Sequence, residues 1–123
     1  MTVPTSNTAR IMRKRFGAWL KETREAAGLT QLDLAALLDY AYPTTISQIE
    51  RGVSALPPAE LALWAEAIRV SPKKLAETYL YYLEPYLYAA VHGRDPYAAE
   101  KLPRPDTTIR RREARATGTR STR

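Results

Sequence analysis

Side chains equipped for covalent or metal chemistry are scarce in this chain. It has no cysteine and one histidine, His92. That rules out thiolate metal sites, disulfides, histidine metal clusters and histidine-based triads. The five glycines, Gly17, Gly28, Gly52, Gly93 and Gly118, are too scattered to form a phosphate-cradling loop. No metal, cofactor or catalytic residue is therefore assigned, His92 reads as an ordinary helix C-terminal residue, and no ligand pocket is evident. What the sequence does concentrate is neutral hydrogen-bonding capacity. Thr44, Thr45, Ser47 and Gln48 are interleaved with Ile46 and Ile49. If this stretch is helical, the isoleucines take the inward face and turn the hydroxyls and the amide outward.

The elements around this stretch read as helices throughout. Residues 8–27 form a first helix, with Phe16, Leu20, Thr23, Arg24 and Ala27 inward, closed by Gly28 as a left-handed cap. Thr30 is an N-cap for a second helix over 31–38, with Asp33 adding negative charge at its start and Leu34, Leu37 and Leu38 inward. Asp39-Tyr40-Ala41-Tyr42 makes the turn. Pro43 opens a third helix over 43–51, and Gly52 ends it. A fourth helix, 58–69, buries Leu61, Trp64, Ala65 and Ile68. Ser71-Pro72 starts a fifth, which runs to Leu83, where Glu84-Pro85 breaks it before one or two more turns over 86–92. The fold class is thus all-α: five helices with a C-terminal helical extension. The domain reading is a flexible arm (1–7), a core domain (8–70), the helical extension (71–92) and an Arg-rich tail (93–123), read as disordered because it is poor in apolar residues.

Charge alone identifies no partner. The net charge is +6, but +5 of it lies from Gly93 onward and only +1 in residues 1–92. Arg10, Arg13, Lys14 and Arg15 crowd the start of the first helix, as a solvated basic face or as neighbours of a polyanion. The first nine residues lack the apolar core of a signal peptide, and no run of ~18 apolar residues exists to span a membrane, so a soluble, cytoplasmic protein is expected.

Residues 16–75, about half the chain, resemble the Cro/cI-type helix-turn-helix family, also called the xenobiotic-response-element family. The matching text is Leu29-Thr30-Gln31, Leu34-Ala35 and Thr45-Ile46-Ser47-Gln48-Ile49-Glu50-Arg51-Gly52, with Gly17, Leu20, Arg24 and Gly28 upstream. The resemblance implies a lambda-repressor-like fold that lays the third helix in the major groove of double-stranded DNA. Base reading then falls to Thr44, Thr45, Ser47 and Gln48. Gln48 can pair both ways with adenine, while the threonine methyls can touch thymine. Gln31, Arg51 and Tyr42 become phosphate contacts. Arg24 and Glu50 are implied as a structural ion pair. One departure stands out: the turn is a residue longer than usual and lacks both the common glycine and a hydroxyl N-cap. Tyr42 takes the cap position. Tyr40 and Tyr42 are available either to pack this turn or to meet the DNA backbone.

The stripe Tyr79, Leu80, Tyr82, Leu83, Tyr86 and Leu87 is apolar nearly all round its helix, so one face is expected to pack on the domain and another to form a homodimer interface, the alternative being that the whole stripe is intramolecular core. Together these readings describe a homodimeric, sequence-specific repressor of bacterial, phage or mobile-element origin that binds a palindromic operator. The alternatives are an antitoxin whose tyrosine-rich helix or basic tail engages a toxin, and a non-specific nucleic-acid binder working through the tail.

Overall fold

The computed structural model describes residues 6–105. The helices are α1 (Asn7–Ala26), α2 (Gln31–Leu37), α3 (Thr44–Glu50), α4 (Leu61–Ile68), α5 (Pro72–Leu83), α6 (Pro85–His92) and α7 (Pro96–Ala99), with a 3₁₀ turn at Pro58–Glu60 leading into α4. No strand occurs among the described residues.

Local chemistry explains where most of these helices begin and end. Ser6 Oγ accepts from the Ala9 N–H, and Ser71 Oγ accepts from the Lys74 N–H. At α2 the exchange is reciprocal: Thr30 Oγ1 accepts from the Asp33 N–H at 3.0 Å, and Asp33 Oδ2 accepts from the Thr30 N–H at 2.9 Å. Such caps satisfy amides that the helix itself leaves unpaired, and each contributes ~1 kcal/mol. At the far end of α1, Gly28 adopts a φ of +77°, which lets the Leu29 N–H reach back to the Arg24 carbonyl at 3.2 Å.

The core is one cluster. Phe16 and Leu20 of α1 meet Leu34 and Ala35 of α2, Ile46 and Ile49 of α3, Leu56, then Trp64, Ala65 and Ile68 of α4, and Leu75 and Tyr79 of α5. Leu37, expected inside, is 61% exposed. With 100° per residue, the inward stripe of α2 is centred among Leu34, Ala35 and Leu38, and Leu37 falls beyond its edge.

Two further expectations are corrected. Residues 93–105 are not a disordered tail. Gly93 ends α6 at a φ of +69°, Asp95 caps α7 through the Tyr97 N–H, and Pro96 and Tyr97 are buried. Arg15 of α1 and the Tyr81 hydroxyl of α5 both donate to the Glu100 carboxylate at 2.7 Å, and Arg104 pairs with Asp95 at 3.0 Å. Low apolar content misled here because one buried aromatic ring, two long-range polar contacts and one ion pair within the segment suffice to hold so short a stretch. The arginines from Arg110 onward lie outside the described residues, as does the arm before Ser6.

The tyrosine-rich stripe is also largely spoken for within the chain. Tyr79 packs edge-on against Phe16 with ring centroids 5.9 Å apart, and Tyr82 and Leu83 lie against the same core. Leu80 is half-buried. Only Tyr86 and Leu87 of that set are exposed, and Val91 extends their face along α6.

Candidate nucleic-acid interface

Helix α3 is short, and what surrounds it dictates how it is presented. Ile46 and Ile49 are fully buried and anchor it from below. Thr44 and Thr45 are exposed at its first turn, and Ser47 and Gln48 are half-buried on the same outer side. Among the described residues, no hydrogen bond engages the side chains of these four, so their donors and acceptors are open to an outside partner. Arg51 is exposed just past the C-terminal end, and Tyr42 is 73% exposed just before the N-terminal end.

The turn before α3 solves its extra residue without glycine. Asp39 takes the left-handed conformation, φ +60°, and the Tyr40 N–H closes onto the Ala35 carbonyl at 2.9 Å. Aspartate tolerates this region better than most side chains. Tyr40 then points inward: its hydroxyl donates to the Glu60 carboxylate and accepts from Trp64 Nε1 at 3.2 Å. Burial, followed by the bond to that carboxylate, pushes the phenol above its ordinary pKa. Tyr40 therefore packs the turn, and Tyr42 alone remains on the surface. Pro43, rather than Tyr42, occupies the cap position of α3, with no side-chain cap.

Helix α1 fixes the tilt of α3 from behind. At Gly17 a methyl group would sit 2.2 Å from the Glu50 carbonyl oxygen, so the two backbones nearly touch there. Beside this crossing, Arg24 Nε donates to Glu50 Oε2 at 2.7 Å and Arg24 Nη2 to Oε1 at 3.1 Å. Both side chains are almost fully buried. Hydrogen bonding to Glu50 is the largest influence on Arg24 and outweighs its desolvation, so the guanidinium holds its proton still more tightly than usual. Arg24 Nη1 also donates to the Leu29 carbonyl at 2.7 Å, which ties the start of α2 to the same group.

Gln31 joins this network. Its Nε2 donates to Glu50 Oε1 at 3.0 Å, so the side chain expected to face outward is turned toward α3. Nothing in the local sequence signals this, because the partner lies 19 residues away. At the other end, Arg13 Nε donates to the Gly52 carbonyl at 3.3 Å, and the α1 backbone at Lys14 is so close to Gly52 that a Cβ there would lie 2.9 Å from Lys14 Cα. The basic start of α1 thus stands beside the end of α3. The structure brings together Arg24, Gln31 and Glu50 as a buried brace, and Thr44, Thr45, Ser47 and Gln48 as an open polar face.

A buried brace beneath a short, polar, outward helix, preceded by a second short helix and a turn, is the geometry that helix-turn-helix proteins use. Residues 20–75 match the helix-turn-helix family in its Cro/cI-type form. This segment is a Cro/cI-type helix-turn-helix domain. The protein is accordingly a DNA-binding transcription regulator. No curated protein matches the chain. Within the helix-turn-helix domain α3 is the second helix of the motif, and α2 is the element it packs against. No helix among the described residues is long and apolar enough to cross a membrane.

Proposed function

We propose that the protein is a homodimeric repressor that reads a short palindromic operator with α3 in the major groove. The observation that carries this reading is the outer face of α3: four neutral hydrogen-bonding side chains without hydrogen-bond partners among the described residues, on a helix whose tilt is braced by Arg24, Glu50 and Gln31. Neutral donor–acceptor groups discriminate base edges, whereas a purely charged face would bind any phosphate backbone. Gln48 pairs with adenine through both ends of its amide, and Thr44, Thr45 and Ser47 read neighbouring edges or thymine methyls. Arg51, Tyr42 and the remaining N–H of Gln31 hold phosphates and set the register.

The second copy docks through the exposed face of α6, Tyr86, Leu87 and Val91. A two-fold axis there gives two recognition helices, spaced about one DNA turn (~34 Å) apart on a palindrome. Repression follows by occlusion of the promoter that overlaps such a site.

The test is a titration of DNA from upstream of the protein's own gene against scrambled DNA, at two salt concentrations. The expected result is a preference on the order of 10³-fold that persists at the higher salt. Gln48→Ala lowers affinity for the preferred DNA by about 5- to 150-fold, the equivalent of a lost bidentate base contact. Removing residues 106–123 leaves the preference intact. Equal binding to both DNAs, or a preference lost with those residues, refutes the reading. Sedimentation that shows a monomer at micromolar concentration, unchanged in Leu87→Asp, refutes the dimer.

A further inference from the structure

A cavity of about 310 Å³ lies where α1, α5 and α6 meet. This open pocket is lined by Trp19 from α1, by Lys74, Glu77, Thr78, Tyr81 and Tyr82 from α5, and by Tyr88 from α6. The DNA-reading face makes no use of any of these groups. We infer that this cage is a binding site for a small organic cation, one carrying a quaternary ammonium or a guanidinium group.

The first argument is the chemistry of the walls. Four aromatic rings line one pocket together with a carboxylate; the electron-rich rings and the negative charge both favour a weakly hydrated cation over a neutral or anionic guest. Glu22 stands one turn beyond Trp19 on α1 and brings a second carboxylate to that side of the helix. A fully hydrated metal ion gains little from such walls, because aromatic rings cannot replace its oxygen ligands.

The second argument is that the walls are fixed before any guest arrives. Tyr81 packs edge-to-face with both Tyr82 and Tyr88, at 79° and 88° with centroids 4.8 and 5.1 Å away, so the three rings fix one another in place. Each ring is held from behind. Trp19 stacks on Phe16, Tyr82 leans on the same ring, the Tyr81 hydroxyl is bound to Glu100, and Tyr88 rests against His92. The Glu77 carboxylate lies near His92, with Nε2 3.8 Å from its Oε2. Walls that need no rearrangement lose little conformational entropy on binding, so a small guest gains from each contact.

Lys74 is the one cation in the lining. It is exposed and sits one turn before Glu77, so it weakens the attraction without filling the cage. That makes its removal informative: a cation site should improve when Lys74 loses its charge, and an anion site should fail.

The experiment uses the full-length protein at constant ionic strength, with choline, tetramethylammonium and ethylguanidinium as probes and 3,3-dimethylbutan-1-ol as the neutral twin of choline. Intrinsic fluorescence reports binding directly, since Trp19 lines the cage while Trp64 is fully buried elsewhere. At least one cation is expected to give a saturable change, with a dissociation constant roughly tenfold or more below that of the neutral twin. Glu77→Gln is expected to weaken that cation by a similar factor with an unchanged circular dichroism spectrum, and Lys74→Gln to strengthen it. The proposal is overturned if the neutral alcohol binds as well as choline, if no probe saturates, or if Lys74→Gln weakens cation binding.

Discussion

Removing the negative partner of the buried brace should cost more than almost any other single change in the DNA-binding half of the molecule. Glu50 accepts three hydrogen bonds, two from Arg24 and one from Gln31, and its side chain is 3% exposed against 6% for Arg24. Glu50→Met therefore leaves a buried guanidinium with only the exposed Glu25 carboxylate, 4.0 Å from Nη2, as counter-charge, a loss of ~3–5 kcal/mol. Domains of this size hold only ~5–15 kcal/mol in total, and each kcal/mol is worth ~4–8 °C, so the melting temperature should fall by tens of degrees. Arg24→Met/Glu50→Met behaves differently, because it removes both charges that burial penalises. What remains is a Leu29 carbonyl and a Gln31 amide without partners, ~1–3 kcal/mol. The double variant should thus be more stable than Glu50→Met alone, with a coupling of at least ~3 kcal/mol between the two sites. Urea unfolding followed by far-ultraviolet circular dichroism measures all four corners of the cycle. Repeating it in 1 M salt separates a buried pair, which is little screened, from a surface one. Additive losses, or a Glu50→Met variant within ~1 kcal/mol of the parent, would refute the reasoning.

Gly17→Ala places a methyl group against the α3 backbone at 2.2 Å. Alanine's gain in helix propensity is outweighed, and a net loss of ~1–3 kcal/mol is expected in the same unfolding assay; a variant as stable as the parent would show that α1 and α3 can part freely. At alkaline pH, burial raises the phenols of Tyr40, Tyr79, Tyr81 and Tyr82. A raised folded pKa favours the neutral form, so this stabilisation is complete below the ordinary tyrosine pKa of ~10 and is lost as pH rises through the higher folded values. Absorbance at 295 nm should accordingly show these four of the eight tyrosines ionising late and together with unfolding, rather than all eight in one smooth step. At acid pH the sign reverses for Asp33, whose carboxyl is held low by the hydrogen bonds from the Thr30 backbone and then its side chain. Its contribution is present above ~3.9 and disappears as pH falls through the depressed value, so Asp33→Asn should flatten the acid limb of the stability curve; an unchanged limb would count against the reciprocal cap.

Much of the DNA-binding half was legible because its signals are local. Thr30 with Asp33, Gly28 and Ser71 mark helix ends through bonds that span three to five residues, and the spacing of Ile46 and Ile49 picks the inner face of α3 unaided. The Arg24–Glu50 pair was reached by resemblance rather than by spacing. The reading failed where a long-range contact outbid the local pattern. Gln31 looks like a surface residue at a helix start until α3 supplies Glu50. Tyr79 looks like an interface residue until Phe16 supplies a partner ring. The stretch from 93 to 105 looks like part of a tail until Arg15, 85 residues before Glu100, and Tyr81 bind it.

By itself the amino-acid sequence determined an all-α fold class, the ends of most helices, and the neutral hydrogen-bonding character of the outer face of α3. Those properties depend on backbone groups and side chains within one helical turn of each other. Only the tertiary structure decided how α3 is braced, which tyrosines are committed to the core, that folding continues beyond His92, and that three helices bring four aromatic rings to one pocket. Each of these depends on which distant surfaces meet, and that is settled by packing the whole core at once rather than by any local pattern.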